Sequence, residues 1–209
     1  MDMTRVSIVP LTLFLAGCQL LEPKPDETRL FLIAPRIPEV SAPAINQATV
    51  RISIRHFPKH LESPYFIEQL GPNELKELPK YRWAVPLEES ILDLLRRYIR
   101  NSFPRVAVEI FPRDSAQDAD HAIRIDVEEL AIDIHNQRIS FTGEWEFCNL
   151  KQKSSDRSPF EFHVPLPASS DRYTSIAAQI EQAMIALCQG IVQKMDLLLL
   201  KSESETNAP

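Results

Sequence analysis

The sequence predicts an α+β fold, a single domain in which one mixed β-sheet packs against two α-helices. Two stretches, 86–102 and 173–198, repeat apolar residues at three and four positions, the stripe of an amphipathic helix. The remaining apolar residues gather in short β-branched or alternating runs separated by proline-rich breaks, which is the pattern of strands. A chain of 209 residues with 44% hydrophobic and 25% charged residues has room for one sizeable core, and no internal repeat divides it.

The N-terminus reads as an export signal. Arg5 precedes the apolar run 6–14, too short for a bilayer-spanning helix of about 20 residues but suited to the hydrophobic part of a leader. Leu15, Ala16, Gly17 and Cys18 then have the form of a bacterial lipobox, in which small residues admit the peptide to the signal peptidase and the cysteine thiol takes a diacylglycerol. Residues 1–17 are therefore expected to be a lipoprotein signal peptide, with lipidation at Cys18. Three acyl chains on that cysteine would make attachment effectively permanent. Gln19 stands where an aspartate would favour the inner membrane, which points to the outer membrane, lipid-anchored, on its periplasmic side. Residues 18–27, with Pro23 and Pro25, form a short leash of at most about 3.1 Å per residue.

The folded domain is expected over 28–201. Runs 29–34 and 49–54 read as strands, with Pro35, Pro38 and Pro43 making a loop between them. A third candidate strand is 65–70, followed by a turn at Gly71, Pro72 and Asn73, and 75–83 reads as extended. Pro86 suits the first position of the helix 86–102, Glu88 and Glu89 meet the positive end of its dipole, and Pro104 stops it. Strands follow at 106–111, 121–134, 138–150 and 160–164. In the first long one, Ile123, Ile125 and Val127 are out of phase with Leu130, Ile132 and Ile134, so a bulge at Glu128 and Glu129 is expected. His135, Asn136 and Gln137 would turn that strand into the next as a β-hairpin. Ser169 and Ser170 are candidate N-caps for the last helix, and 202–209 is a polar tail.

Several function classes drop out. The formal net charge of -6 gives no attraction to a phosphate backbone, so no nucleic acid is expected as partner. Four glycines, none near another, cannot write a phosphate-binding loop. His56 and His60 have the spacing of a helical zinc pair, but Pro58 between them breaks that helix, so no metal is expected. Adjacent carboxylates such as Glu88 with Glu89 and Glu128 with Glu129 point in different directions, as solvated faces do. No nucleophile, base or cofactor site can be assembled, and the chain reads as a binding protein, not an enzyme. Cys148 and Cys188 would face an oxidising compartment, which leaves open either one disulfide or two buried thiols.

Four features together resemble the ABC-type transport auxiliary lipoprotein family, the PqiC/YmbA-like lipoproteins. They are the lipobox; Arg29, Leu30, Phe31 and Leu32 shortly after it; the stretch 68–75 with Gly71 and Asn73; and Tyr81, Arg82, Trp83, Ala84, Val85, Pro86, Leu87, Glu88 and Glu89, where an aromatic, a tryptophan and Pro-Leu-Glu open the first helix. The family usually has tyrosines where this chain has Arg29 and Leu30. The resemblance implies a periplasm-facing lipoprotein, without catalytic residues or cofactor, that works with an MCE-domain protein of an intermembrane lipid transport system. It further suggests a homo-oligomer matched to a ring-shaped partner. In that light Trp83 is either a partner or lipid contact or, as a tryptophan before a helix often is, a core residue. Two other readings stand beside it: a carrier that holds lipid itself, and a generic envelope-assembly lipoprotein.

Overall fold

The alternating stretch after residue 120 becomes the longest strand, and the sheet is organised around it. The computed structural model describes residues 26–37, 47–112 and 119–206, so Cys18 and its leader lie outside the described residues. Eight strands are present, β1 (Arg29–Phe31), β2 (Ala48–His56), β3 (Tyr65–Gly71), β4 (Glu74–Trp83), β5 (Val106–Ile110), β6 (His121–Asp133), β7 (Arg138–Asn149) and β8 (Ser154–Pro165), with helices α1 (Leu87–Ser102) and α2 (Arg172–Thr206).

Along one edge of β6 the whole of β7 pairs antiparallel, from Asp133 opposite Arg138 to His121 opposite Asn149, and β8 then pairs antiparallel to β7. The other edge is shared. β2 runs parallel to its first half, with β5 parallel beyond β2, while β3 meets only its end, at Glu68 opposite Ile132 and Gln69 opposite Asp133. From β3 the sheet continues through β4, antiparallel, to β1, parallel. The result is the mixed eight-stranded sheet with two helices expected of an α+β domain.

The bulge falls where the alternation requires it. The register slips between Val127 and Glu129, which returns Leu130 and Ile132 to the face already occupied by Ile123, Ile125 and Val127. The hairpin turns on Asp133, whose carboxylate accepts the Asn136 backbone N–H at 2.8 Å and its side-chain amide at 2.6 Å. Gln137 takes the left-handed backbone conformation there, with φ 52°.

Both helices pack on that face and against each other. Ile91, Leu94, Leu95 and Ile99 of α1 and Ile176, Met184, Leu187 and Ile191 of α2 are buried among Ile52, Ile123, Ile125 and Phe141 of the sheet. By length and mean hydropathy α2 also meets the measure of a membrane span, and its apolar stripe is what the core uses.

Five boundaries differ from expectation. β8 begins at Ser154, six residues before the predicted start, because it is an edge strand whose polar residues and Pro159 need only one partner. β1 is three residues long and stops at Phe31. Pro86 is the N-cap of α1 rather than its first residue, with an extended ψ of 139°. The cap of α2 is Asp171, not Ser169 or Ser170: its carboxylate accepts hydrogen bonds from the Thr174 hydroxyl, at 2.8 Å, and backbone, while the Ser169 hydroxyl accepts the Asp171 N–H at 3.1 Å. The helix then runs on to Thr206, into the segment expected to be a tail.

Candidate functional site

Period-two alternation gives β6, β7 and β8 two chemically different faces. One carries Ile123, Ile125, Trp145, Phe147 and Phe160 beneath the helices. The other, which no helix covers among the described residues, carries Arg124, Asp126, Glu144, Glu146 and Arg157, with Arg55 reaching in from β2.

Register assembles these charges into a lattice. Arg124, Glu146 and Arg157 lie directly opposite one another across three strands, and Asp126 lies opposite Glu144 in the next row. The Arg55 guanidinium forks onto both Asp126 oxygens and also donates to Glu146 Oε2 at 3.1 Å. Arg124 Nη1 stands 3.5 Å from the same oxygen, Arg157 Nε donates to Glu146 Oε1 at 3.4 Å, and Arg157 Nη1 donates to Glu144 Oε1 at 3.2 Å. Glu146 is the hub, with its side chain only 7% exposed. Burial alone would raise its pKa, but the Ser155 and Arg157 hydrogen bonds and the Arg55 charge outweigh it and hold the carboxyl below its ordinary value. The Asp126 hydrogen bond likewise pushes the Arg55 guanidinium up. Arg157, at 58% side-chain exposure, presents the lattice to solvent. Fixed charges on a rigid sheet suit protein recognition, since they set register and reject mismatched surfaces.

The lattice was not singled out from the sequence. The signal was available: counting back from the turn at 135–137 and allowing one bulge residue brings Arg124 opposite Glu146.

Trp83 is a core residue. It is 5% exposed and stacks on Phe66 with ring centroids 4.3 Å apart, within an aromatic cluster that includes Phe31, Tyr81 and Tyr173. Of the two readings of Trp83, the buried position is that of a core residue, with Phe66 of β3 covering its ring. Tyr173 donates to the buried Glu68 carboxylate at 2.9 Å, and burial together with that bond pushes its phenol up to about 12. Nearby, Arg29 forks onto the capping Asp171 at 2.8 and 3.0 Å, which, with the Thr174 hydrogen bonds, holds that carboxyl down to about 2.

Of the two readings of the cysteines, the structure has two buried thiols: Cys148 and Cys188 are both free. The reason is the alternation itself. Trp145 and Phe147 face the helices, so Cys148 faces the opposite side, next to Glu146, whereas Cys188 belongs to the helix-side core. Burial pushes both thiols up.

Two open clefts flank these features. One, of about 360 Å³, opens where β2 leaves β6 before β3 joins it, and Glu74, Glu128, Glu129 and His60 edge it. The other, of about 290 Å³, lies between α1 and the segment after β1, beside Leu32, Asp93 and Arg97. Among the described residues no cluster of histidine, cysteine or carboxylate side chains could hold a metal ion.

A family model described as the ABC-type transport auxiliary lipoprotein component matches residues 31–192. Protein XCC0632 from Xanthomonas campestris has a similar structure, with TM-score 0.64 and 19% identity over 85% of this chain and 99% of that one. A second solved structure, of an uncharacterized protein, gives TM-score 0.59 and 15% identity over 80% and 99% of the two chains. At these identities the likeness is one of fold. No curated protein matches the sequence significantly.

Proposed function

Since the chain belongs to the ABC-type transport auxiliary lipoprotein component family, we propose that it is the outer-membrane docking component of an MCE-type intermembrane lipid transport system. Membership makes it an auxiliary lipoprotein, not an enzyme. The observation that carries the docking reading is the sheet face that no helix covers among the described residues: α1 and α2 lie on the other side, and this side holds charges fixed by neighbouring strands. Such a surface binds without turnover. Acylation at Cys18 and the leash 18–27 would hold it near the membrane at high effective concentration. A homo-oligomer would let it meet a ring-shaped MCE protein symmetrically.

The carrier reading is less well supported, because both described clefts are open and edged by charged side chains, whereas a lipid chain needs an enclosed apolar cavity.

Co-purification from membranes tests the docking reading. The full chain should bring down the MCE-domain protein, and Arg157→Gln, which removes an exposed charge of the lattice but keeps an amide donor beside Glu146, should weaken that capture far more than it lowers thermal stability. Capture of lipid without any MCE protein would overturn it in favour of the carrier. The anchor is tested by fractionating Cys18→Ala, which should leave the membrane; a variant that stayed there in high salt and without its partner would contradict acylation at Cys18.

A further inference from the structure

Strand β1 alternates two kinds of side chain. Arg29 and Phe31 face the helices, the first bonded to Asp171 and the second packed on Phe66 at 4.9 Å. Leu30 points the other way, and Leu32 follows just past the strand; they are 65% and 58% exposed, two of the most exposed large apolar residues described. They are not alone on that surface. Leu30 lies opposite Arg82 of β4, which lies opposite Tyr65 of β3, and the Arg82 guanidinium sits 6.0 Å from the Tyr65 ring centroid. Leucines beside a tyrosine and a cation form the composition of a surface at headgroup depth, where apolar atoms enter the acyl region and polar tips remain in water.

We propose that Leu30 and Leu32 dip into the membrane leaflet that holds the acyl anchor, so that the β1 edge of the sheet rests on the bilayer. The chain outside the structure points to that occupant. Only residues 19–25 separate Cys18 from the first described residue, and each adds at most about 3.6 Å of reach. The leash ends beside the patch, where Glu27 pairs with Lys80 of β4. The two leucines thus lie on the part of the domain closest to the acyl chains. A second copy of the chain fits less well, since a three-residue edge strand offers almost no ladder to pair with. Membrane contact at this edge would fix the orientation of the domain, with β1 toward the bilayer and the charged strands β6 to β8 at the other end of the sheet. The inference rests on acylation at Cys18.

The test uses the full acylated chain in phosphatidylethanolamine and phosphatidylglycerol vesicles doped with a doxyl-labelled phospholipid. Leu32→Trp should lose emission to the doxyl group and shift to the blue, after subtraction of the wild-type signal from buried Trp83 and Trp145. Leu75→Trp, at another exposed site on the turn side of β4, should show neither change. Leu30→Trp gives the same readout should Leu32→Trp fold poorly. A chain that floats with the vesicles but whose new tryptophan stays unquenched overturns the leaflet contact alone. A chain that does not float overturns the anchor and the contact with it. A blue shift that grows with protein-to-lipid ratio, without quenching, assigns the patch to a second copy.

Discussion

Gly143 and the main-chain oxygen of Asp126 approach so closely that a Cβ on Gly143 would lie 2.1 Å from that oxygen. The contact sits beside the β6 bulge, where Val127 pairs with Gly143 before the register slips. From the other side the Phe160 ring of β8 closes over the glycine, 2.8 Å from the same Cβ position. The missing side chain is thus what lets three strands draw together, with an aromatic ring filling the gap.

Replacing this glycine should therefore hurt the fold. Gly143→Val must push either backbone or ring aside, and overpacking of this kind costs about 1–3 kcal/mol or more. Urea unfolding should show a lower midpoint. Gly71→Ala is the control, because no atom lies within 4 Å of the added carbon.

The two helices carry the core from one side. Leu94 is 1% exposed and Leu187 is 2% exposed, so Leu94→Ala and Leu187→Ala should each cost about 2–5 kcal/mol by thermal or chemical denaturation. Wild-type stability in both would contradict their placement against the sheet.

Cys148 and Cys188 should remain thiols even after isolation from an oxidising compartment. Cys188 belongs to the core between sheet and helices, whereas alternation places Cys148 on the other side of the sheet. A thiol reagent added without reductant should leave the folded protein nearly unlabelled and modify both residues once it is denatured. A mass consistent with a bridge would show that the sheet and α2 pack differently.

Stability should fall on mild acidification. His121 is buried and stacks on Phe147 at 5.1 Å, and its Nδ1 has no hydrogen-bond partner. Burial lowers its pKa, with Asp120 opposing and Lys151 assisting. Above about pH 6.5 the ring is neutral in both folded and unfolded chains; below it the unfolded chain takes up the proton first, so folding free energy is lost as pH falls. The urea midpoint should drop between pH 7 and 5, and His121→Phe should flatten that drop.

The sequence by itself determined the elements and most of their faces. Apolar periods placed both helices, and the phase shift between Val127 and Leu130 required the bulge that the register contains. Those features were legible because they depend on residues a few positions apart. The start of β8 was not, since Ser154 to Pro159 look like a loop until β7 supplies their hydrogen bonds. The cap at Asp171 was hidden for a related reason: its partner Arg29 lies 142 positions away. Trp83 read from its place before a helix as a core residue more often than a surface contact, and its partner Phe66 is supplied only by the pairing of β3 with β4. The same holds for the charged lattice and for the cysteines. One residue of register decides whether a side chain faces helix or solvent, and only the pairing of distant strands fixes that register.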